Sequence, residues 1–308
     1  MLRDERTAEE RALTVAPASR RFAVVSDLQR TSRWEVWRES NRDERILIIE
    51  EIAARRPDFV AMLGDLVFRG SSTADWKEFD EICRPLTRAR VPVFPILGNH
   101  EYWISGGAAL SHYFSRFPHL EGRHWYMLRY EALALLGVDS NERRLSPRAW
   151  QKQMRWYRDR LEACDADASV RGALALVHHP PYTNSTVTRD ERHVQRHFVP
   201  PFLNARKTLA VLSGHVHSYE RYSREGKAFL VTGGGGGPRV RLATSGRRRR
   251  HPDDLFAGPP IRFFHFLWVR LSPTGLDVEV VGLAKGGRTF DVMDRFLLPY
   301  SGSASEIA

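Results

Sequence analysis

The chain has 308 residues, 42% of them hydrophobic, enough to bury a sizeable core in one large domain or two. Lys and Arg (47) outnumber Asp and Glu (37), and the resulting net charge of +10 suits anionic partners or, more simply, a solvated basic surface. Two cysteines, Cys83 and Cys164, are too few for a disulfide framework or a thiolate zinc site and are expected to be unpaired thiols.

Residues 1–20 carry Arg3, Asp4, Glu5, Arg6, Glu9, Glu10 and Arg11 with no apolar stretch, so they read as a charged, poorly ordered arm and not as a signal peptide. No window approaches the roughly 20 apolar residues of a membrane helix. A soluble cytoplasmic protein without a membrane partner is expected, or a secreted or periplasmic one if a leader has been removed. Phe22-Ala23-Val24-Val25 is a short apolar run ending in Ser26-Asp27, the pattern of a buried strand. A helix begins near Asp43, with Ile46, Leu47, Ile49 and Ala53 at amphipathic spacing, and closes at Pro57-Asp58. Residues 59–63 form the next strand, ending in Gly64-Asp65. A helix over about 74–89 then leads to the apolar run 91–97, which ends in Gly98-Asn99-His100-Glu101. This alternation predicts a parallel sheet with right-handed crossovers.

A helical stretch near 107–116 precedes strands at 125–130 and 132–137. Pro147 opens a helix to about residue 161, with Trp150, Met154, Tyr157 and Leu161 on one face. Residues 173–177 deliver His178-His179-Pro180-Pro181, and residues 208–212 deliver Gly214-His215-Val216-His217. From Tyr219 onward short strands dominate, at 228–231, 263–271, 276–281 and 289–293, which predicts two sheets packed face to face with helices outside. The segment 233–260 holds five consecutive glycines, the arginine run 247–250 and Pro259-Pro260. It reads as a mobile loop inside a single catalytic domain over residues 21–300. The glycines are a flexible hinge, a tight strand exit or an anion cradle, and the arginines a solvated loop or a recruiter of polyanionic substrates.

Five strand ends now carry Asp27 with Gln29, Asp65, Asn99 with His100, His178, and His215 with His217. Singly, such residues are turn formers, caps or hydrogen-bonded core groups. Together, carboxylate, amide and imidazole suit divalent transition metals, and a shared carboxylate can bridge two ions about 3.5–4 Å apart.

The blocks Asp27-Leu28-Gln29, Gly64-Asp65-Leu66-Val67, Gly98-Asn99-His100-Glu101, His178-His179-Pro180-Pro181 and Gly214-His215-Val216-His217, in this order, resemble the calcineurin-like metallophosphoesterase superfamily over about residues 22–285. The tail His217-Ser218-Tyr219-Glu220-Arg221 is similar to purple acid phosphatases in particular. The resemblance implies a four-layer αββα sandwich of the α/β class with a two-metal centre of Mn, Fe or Zn ions. By motif, Asp27 and His217 would hold one metal, Asn99, His178 and His215 the other, and Asp65 would bridge them. His178 takes the first position of its block, and His179 would support it. His100 would contact the phosphate or protonate the leaving group, and Arg69 matches a phosphate-contacting arginine. Arg30 and Arg33 are further cations near the first motif.

Three positions depart from the pattern. Gln29 stands where the family usually has His, a poorer ligand for borderline ions that suits a harder ion such as Mn²⁺. Phe68 stands where an Asp normally orients the catalytic His. Purple acid phosphatases have Tyr at that position, whose phenolate binds ferric iron; Phe68 has no ligating atom.

Metal-dependent phosphoester hydrolysis follows as the expected function: a metal-bridging hydroxide attacks phosphorus in line, on a small phosphorylated substrate, with a phosphomonoesterase favoured. A phosphodiesterase acting on cyclic nucleotides or other diesters is the alternative. A nuclease is less favoured, because no base-stacking module is recognisable although the charge would suit nucleic acid. A catalytically silent scaffold is a reading from another class. Trp34, Trp37, Trp103 and Tyr182 follow motif residues and are candidate walls of a substrate pocket, although Trp34 and Trp37 would equally form one helical core face.

Overall fold

The computed structural model describes residues 11–32, 38–284 and 286–301; Arg33, Trp34 and Trp37 lie outside these residues. A short β1 (Leu13–Thr14) precedes β2 (Arg21–Val25), and α1 (Arg42–Arg55), β3 (Val60–Met62), α2 (Thr73–Ile82), α3 (Arg84–Arg88) and β4 (Val93–Pro95) follow in the alternation the sequence predicts. The helix expected over 74–89 is two helices that meet at Cys83. Pro85 has no N–H to give to the carbonyl four residues back, and its ring crowds the turn before it.

The second half begins with α4 (Gly106–Arg116), β5 (Tyr126–Tyr130) and β6 (Leu133–Gly137). Next comes α5 (Pro147–Ala166), capped by the Ser146 side chain accepting from the Ala149 N–H and running past the expected end at 161. Then follow β7 (Gly172–Val177), α6 (Arg192–His197), α7 (Val199–Asn204), β8 (Thr208–Ser213), β9 (Tyr219–Arg224), β10 (Lys227–Thr232), β11 (His265–Leu271), β12 (Gly275–Leu283) and β13 (Phe290–Pro299).

One sheet has the order β13-β12-β11-β2-β3-β4 and the other β1-β5-β6-β7-β8-β10-β9. Strand alternation sets the layers. Leu133, Leu135, Leu174, Leu176 and Leu212 share one core with Val24, Met62 and Phe266 of the opposite sheet. Their neighbours Ala134, Leu136, Ala175, Val177 and Val211 face away and pack on Trp150, Met154, Tyr157 and Leu161 of α5 and Phe202 of α7. Ile48, Ile49 and Ile52 of α1 with Trp76 and Phe79 of α2 cover the other sheet. The result is the expected αββα sandwich.

Residues 13–20 depart from the reading as a poorly ordered arm. Leu13 pairs with Leu128 on β5, and the Asp58 carboxylate accepts from the N–H groups of Ala18, Ser19 and Arg20 at 2.9–3.1 Å. The glycine run 233–237 is buried, and the N–H groups of Gly235 and Gly237 donate to the carbonyls of Ser26 and Asp27 (2.9 and 2.7 Å), so these two amides face the first motif and not an anion. Cys83 and Cys164 are buried and unpaired, as expected. Among the described residues no helix is long and apolar enough to cross a membrane.

Candidate metal centre

Each singled-out residue sits on a loop at a strand's carboxyl end, the edge where open α/β sheets place their sites: Asp27 after β2, Asp65 after β3, Asn99 after β4, His178 after β7, and His215 with His217 after β8. Asp27 (φ 61°), Asp65 (φ 52°) and His215 (φ 65°) adopt left-handed backbone, which costs on the order of 1–3 kcal/mol per residue. The loops hold one another in it. The Asp27 N–H donates to the Gly64 carbonyl (3.1 Å), the Gln29 N–H to the Asp65 carbonyl (3.0 Å), and the His215 N–H to the Asp27 carboxylate (3.0 Å). A side chain at Gly98 would place its Cβ 2.3 Å from Asp65 Oδ1, so only glycine lets these two loops meet.

The histidines are oriented from behind. A carbonyl can only accept, so His178 donates Nδ1–H to Leu63 O (2.8 Å) and His217 donates Nδ1–H to Pro238 O (2.8 Å). Their Nε2 lone pairs therefore face inward. His178 Nε2 meets Asn99 Oδ1 at 3.1 Å and Asp65 Oδ1 at 3.3 Å, and His215 Nδ1 meets the same Asn99 oxygen at 2.9 Å. His217 Nε2 lies 3.4 Å from Asp27 Oδ1. Turned so that its nitrogen meets acceptors, the Gln29 amide donates to the carbonyls of Asp65 (2.9 Å) and Asp27 (3.2 Å), and its oxygen faces His217 Nε2 at 3.0 Å, a pairing that needs a proton or a cation between the two atoms.

Acceptors thus face acceptors in two places: Asn99, Asp65 and His178 in one, Gln29, Asp27 and His217 in the other. Only a proton or a cation can reconcile such groupings, and an oxygen and imidazole set without thiolate suits Mn, Fe or Zn. Donor atoms of Asp27, Asp65 and His178 all lie within 4.8 Å of one another, as do those of His178, His179 and His215. His179 is therefore near the cluster, but its Nδ1 meets Ser140 Oγ (2.7 Å), whereas His178 is the one that reaches Asp65 and Asn99.

Electrostatics follow the same logic. Burial opposes ionisation of Asp65, but His178 and His100 outweigh it and hold the carboxyl far below the usual range. Burial lowers the His178 imidazole, but Asp65 and Asp27 push it up to about 10. His215 falls to about 4 through burial and repulsion from His178.

His100 lacks the acid that normally orients it, and the backbone supplies the substitute. Its Nδ1 donates to the carbonyl of Phe68 itself (2.6 Å), its own N–H donates to Asp65 Oδ1 (2.9 Å), and Trp103 stacks on the ring with centroids 3.8 Å apart. The remaining nitrogen, Nε2, lies 3.8 Å from Asp65 Oδ2. Arg69 is not brought into this group: its Nε is 3.9 Å from Asp75 Oδ2, and no contact joins it to the ligand candidates among the described residues. Arg30 is bound to the same Asp75 through Nε and an NH2 nitrogen (3.1 and 3.0 Å). Of the aromatic candidates, Trp103 serves His100, and Tyr182 packs on Phe229 and His251.

Glu101, the last residue of the Gly98-Asn99-His100-Glu101 block, is fully buried. Its Oε2 accepts from the N–H groups of Asp65 and Gly98 and its Oε1 from that of Leu66, each at 2.8 Å. Burial and the Asp65 charge push its acid up to about 7, opposed by His178 and the N–H donors. No acceptor meets a carboxyl hydrogen there, so the carboxylate is the form that fits.

The sequence profile of the calcineurin-like phosphoesterases matches residues 20–219. The chain is 26% identical over 249 residues to purple acid phosphatase 22 of Arabidopsis thaliana, covering 75% of this chain and 53% of that protein. It spans about half the length of the curated relatives it matches. Its fold is shared with the purple acid phosphatase PPD1 of yellow lupin, Lupinus luteus (TM-score 0.67, 17% identity, 92% of this chain and 54% of that one). It is shared equally with GAP50, described as the anchor in the inner membrane complex of Plasmodium (TM-score 0.67, 17% identity, 91% and 88%). By the extent of the profile match, the chain belongs to the calcineurin-like phosphoesterase family.

Proposed function

We propose that this chain hydrolyses phosphoesters with two divalent or transition metal ions, and that phosphomonoesters are its preferred class. The observation that carries the reading is the pair of acceptor-only groupings at the sheet edge, joined by Asp65. Asp27, His217 and the Gln29 oxygen would hold one ion and Asn99, His178 and His215 the other. Bound there, the two cations supply an acidified water and offset charge on the phosphoryl oxygens.

The chain's own groups do the rest. With Nδ1–H fixed on the Phe68 carbonyl and its ring held by Trp103, His100 can donate only from a protonated Nε2, to a phosphoryl or leaving-group oxygen. Arg69, tethered by Asp75 beside Phe68, is the proposed phosphate contact, reached by a side-chain rotation since it is 44% exposed. The monoester preference rests on the block His217-Ser218-Tyr219-Glu220-Arg221 and the likeness to purple acid phosphatases. Cytoplasmic residence belongs to the same proposal, supported by two cysteines that are both unpaired.

The test is phenol release from phenyl phosphate and diphenyl phosphate by Mn²⁺-loaded protein. A kcat/KM at least about tenfold higher for the monoester is expected, and His100→Ala should lower kcat by about a hundredfold or more with both ions still bound. Diester preference would support the phosphodiesterase alternative. No turnover of either ester by fully loaded protein would leave the silent scaffold, the reading that Gln29 and Phe68 favour.

A further inference from the structure

Beside the metal loops lies a cavity of about 1170 Å³ whose lining is dominated by arginine. Arg143 comes from the short turn after β6, Arg189, Arg192 and Arg196 from the segment that includes α6, and Arg247 with Arg248 from the segment after the glycine run. Arg192 and Arg196 are four apart on one helix and so share a face. Among the described residues none of these six guanidinium groups has a hydrogen bond or an ion pair. Among the described residues three acidic residues share the wall, and two of them are engaged, leaving the Glu142 carboxylate as the one to set against the six arginines. Asp190 meets His251 Nε2 at 3.0 Å, and Glu191 lies 3.3 Å from His193 Nδ1. Arg250 differs from its neighbours: it donates to the carbonyls of Thr183 and Ser185 and shapes the loop.

This basic wall adjoins the metal cluster. His179 lines the cavity, with its ring 4.9 Å from that of His178 and 4.7 Å from that of His215. Asn141 also lines it and donates to the carbonyl of Gly98, the residue before Asn99, at 3.3 Å. Among the described residues no Phe, Tyr or Trp lines it, so the large ring faces on which bases most often stack are missing there. Several unpaired guanidinium groups in one concavity focus potential and match phosphate oxygens bidentately.

We infer that this cavity binds the non-reacting phosphates of a multiply phosphorylated, non-aromatic small molecule while one phosphoryl group sits at the metal cluster. The inference rests on the phosphoester hydrolase reading above and names the substrate class of that site.

Inorganic tripolyphosphate is the probe. Calorimetric titration into the full chain stripped of metal reads the cavity without catalysis, and a micromolar Kd is expected. The triple variant Arg189→Gln, Arg192→Gln, Arg196→Gln should weaken it about tenfold or more. In excess Mn²⁺, the ratio of kcat/KM for tripolyphosphate to that for phenyl phosphate should fall in the variant by a similar factor. Binding weaker than millimolar, a Kd or ratio unchanged within twofold in the variant, or tighter binding of an eight-nucleotide thymidine strand overturns the inference. If the wild type binds tripolyphosphate as expected yet hydrolyses neither compound, the hydrolase reading fails and the anion site stands.

Discussion

Replacing Glu101 with Gln keeps the shape of the side chain and removes one acceptor and one charge. The carboxylate accepts three backbone N–H groups at 2.8 Å, from Asp65, Leu66 and Gly98, and so pins the loops after β3 and β4 to each other. A Gln oxygen can retain the two donors at Oε2, but its NH2 group then meets the Leu66 N–H, donor against donor. A lost bond to a buried charged group is worth about 1.5–3 kcal/mol, and the two that remain weaken to neutral strength. Relief of repulsion with Asp65 returns part of this, so a net destabilisation of about 3 kcal/mol is expected. In a chain of this size that lowers Tm by about 6 °C. Because Asp65 is the residue held, affinity for the second ion should also fall about tenfold or more. Thermal unfolding followed by circular dichroism, with Mn²⁺ titration of each protein, reads both effects. Gln also mimics a protonated acid, so a variant with wild-type Tm and metal affinity would refute the ionised clamp.

Other consequences concern separate parts of the molecule. Asp58→Asn removes the charge that accepts from Ala18, Ser19 and Arg20, and should cost about 1 kcal/mol at pH 7. Burial opposes ionisation of Asp58, but the Tyr130 hydroxyl and the N–H donors outweigh it and hold its acid below the ordinary value near 4. The wild-type advantage is therefore complete above that pH and shrinks as pH falls through the lowered value; a difference in melting that grew on acidification would contradict this. Trp103→Ala frees one face of the His100 ring and should lower kcat about tenfold with metal content unchanged, a split that atomic absorption and steady-state kinetics separate. Gln29→Ala should weaken one of two Mn²⁺ binding steps about tenfold and spare the other; two unchanged steps would remove Gln29 from the ligand set.

The sequence carried the strand ends well because each apolar run is short and finishes in residues that suit neither strand nor helix interior, as Ser26-Asp27 and Gly64-Asp65 do. Asp27, Asp65, Asn99, His178, His215 and His217 could be proposed from residue type and position, and the sheet edge brings them together. What orients them could not be read. The carbonyls of Leu63, Pro238 and Phe68 that fix three imidazoles are backbone groups, and every residue has one. Phe68 illustrates the limit: its side chain reads as a missing acid, while its carbonyl holds His100. Glu101 left only a faint signal, a carboxylate inside an otherwise neutral motif after a glycine. Pro85 inside a helical pattern was a legible break that amphipathic spacing masked. The strand Leu13–Thr14 is two residues long, below what periodicity can detect.

If these loops hold two cations through a shared Asp65, removing one of its oxygens must cost an ion. Metal content per chain after Mn²⁺ loading and desalting, for the wild type and for Asp65→Asn, tests it most directly. Two ions per wild-type chain and one or none in the variant are expected. Fewer than one ion in the wild type, or two in both proteins, would contradict it.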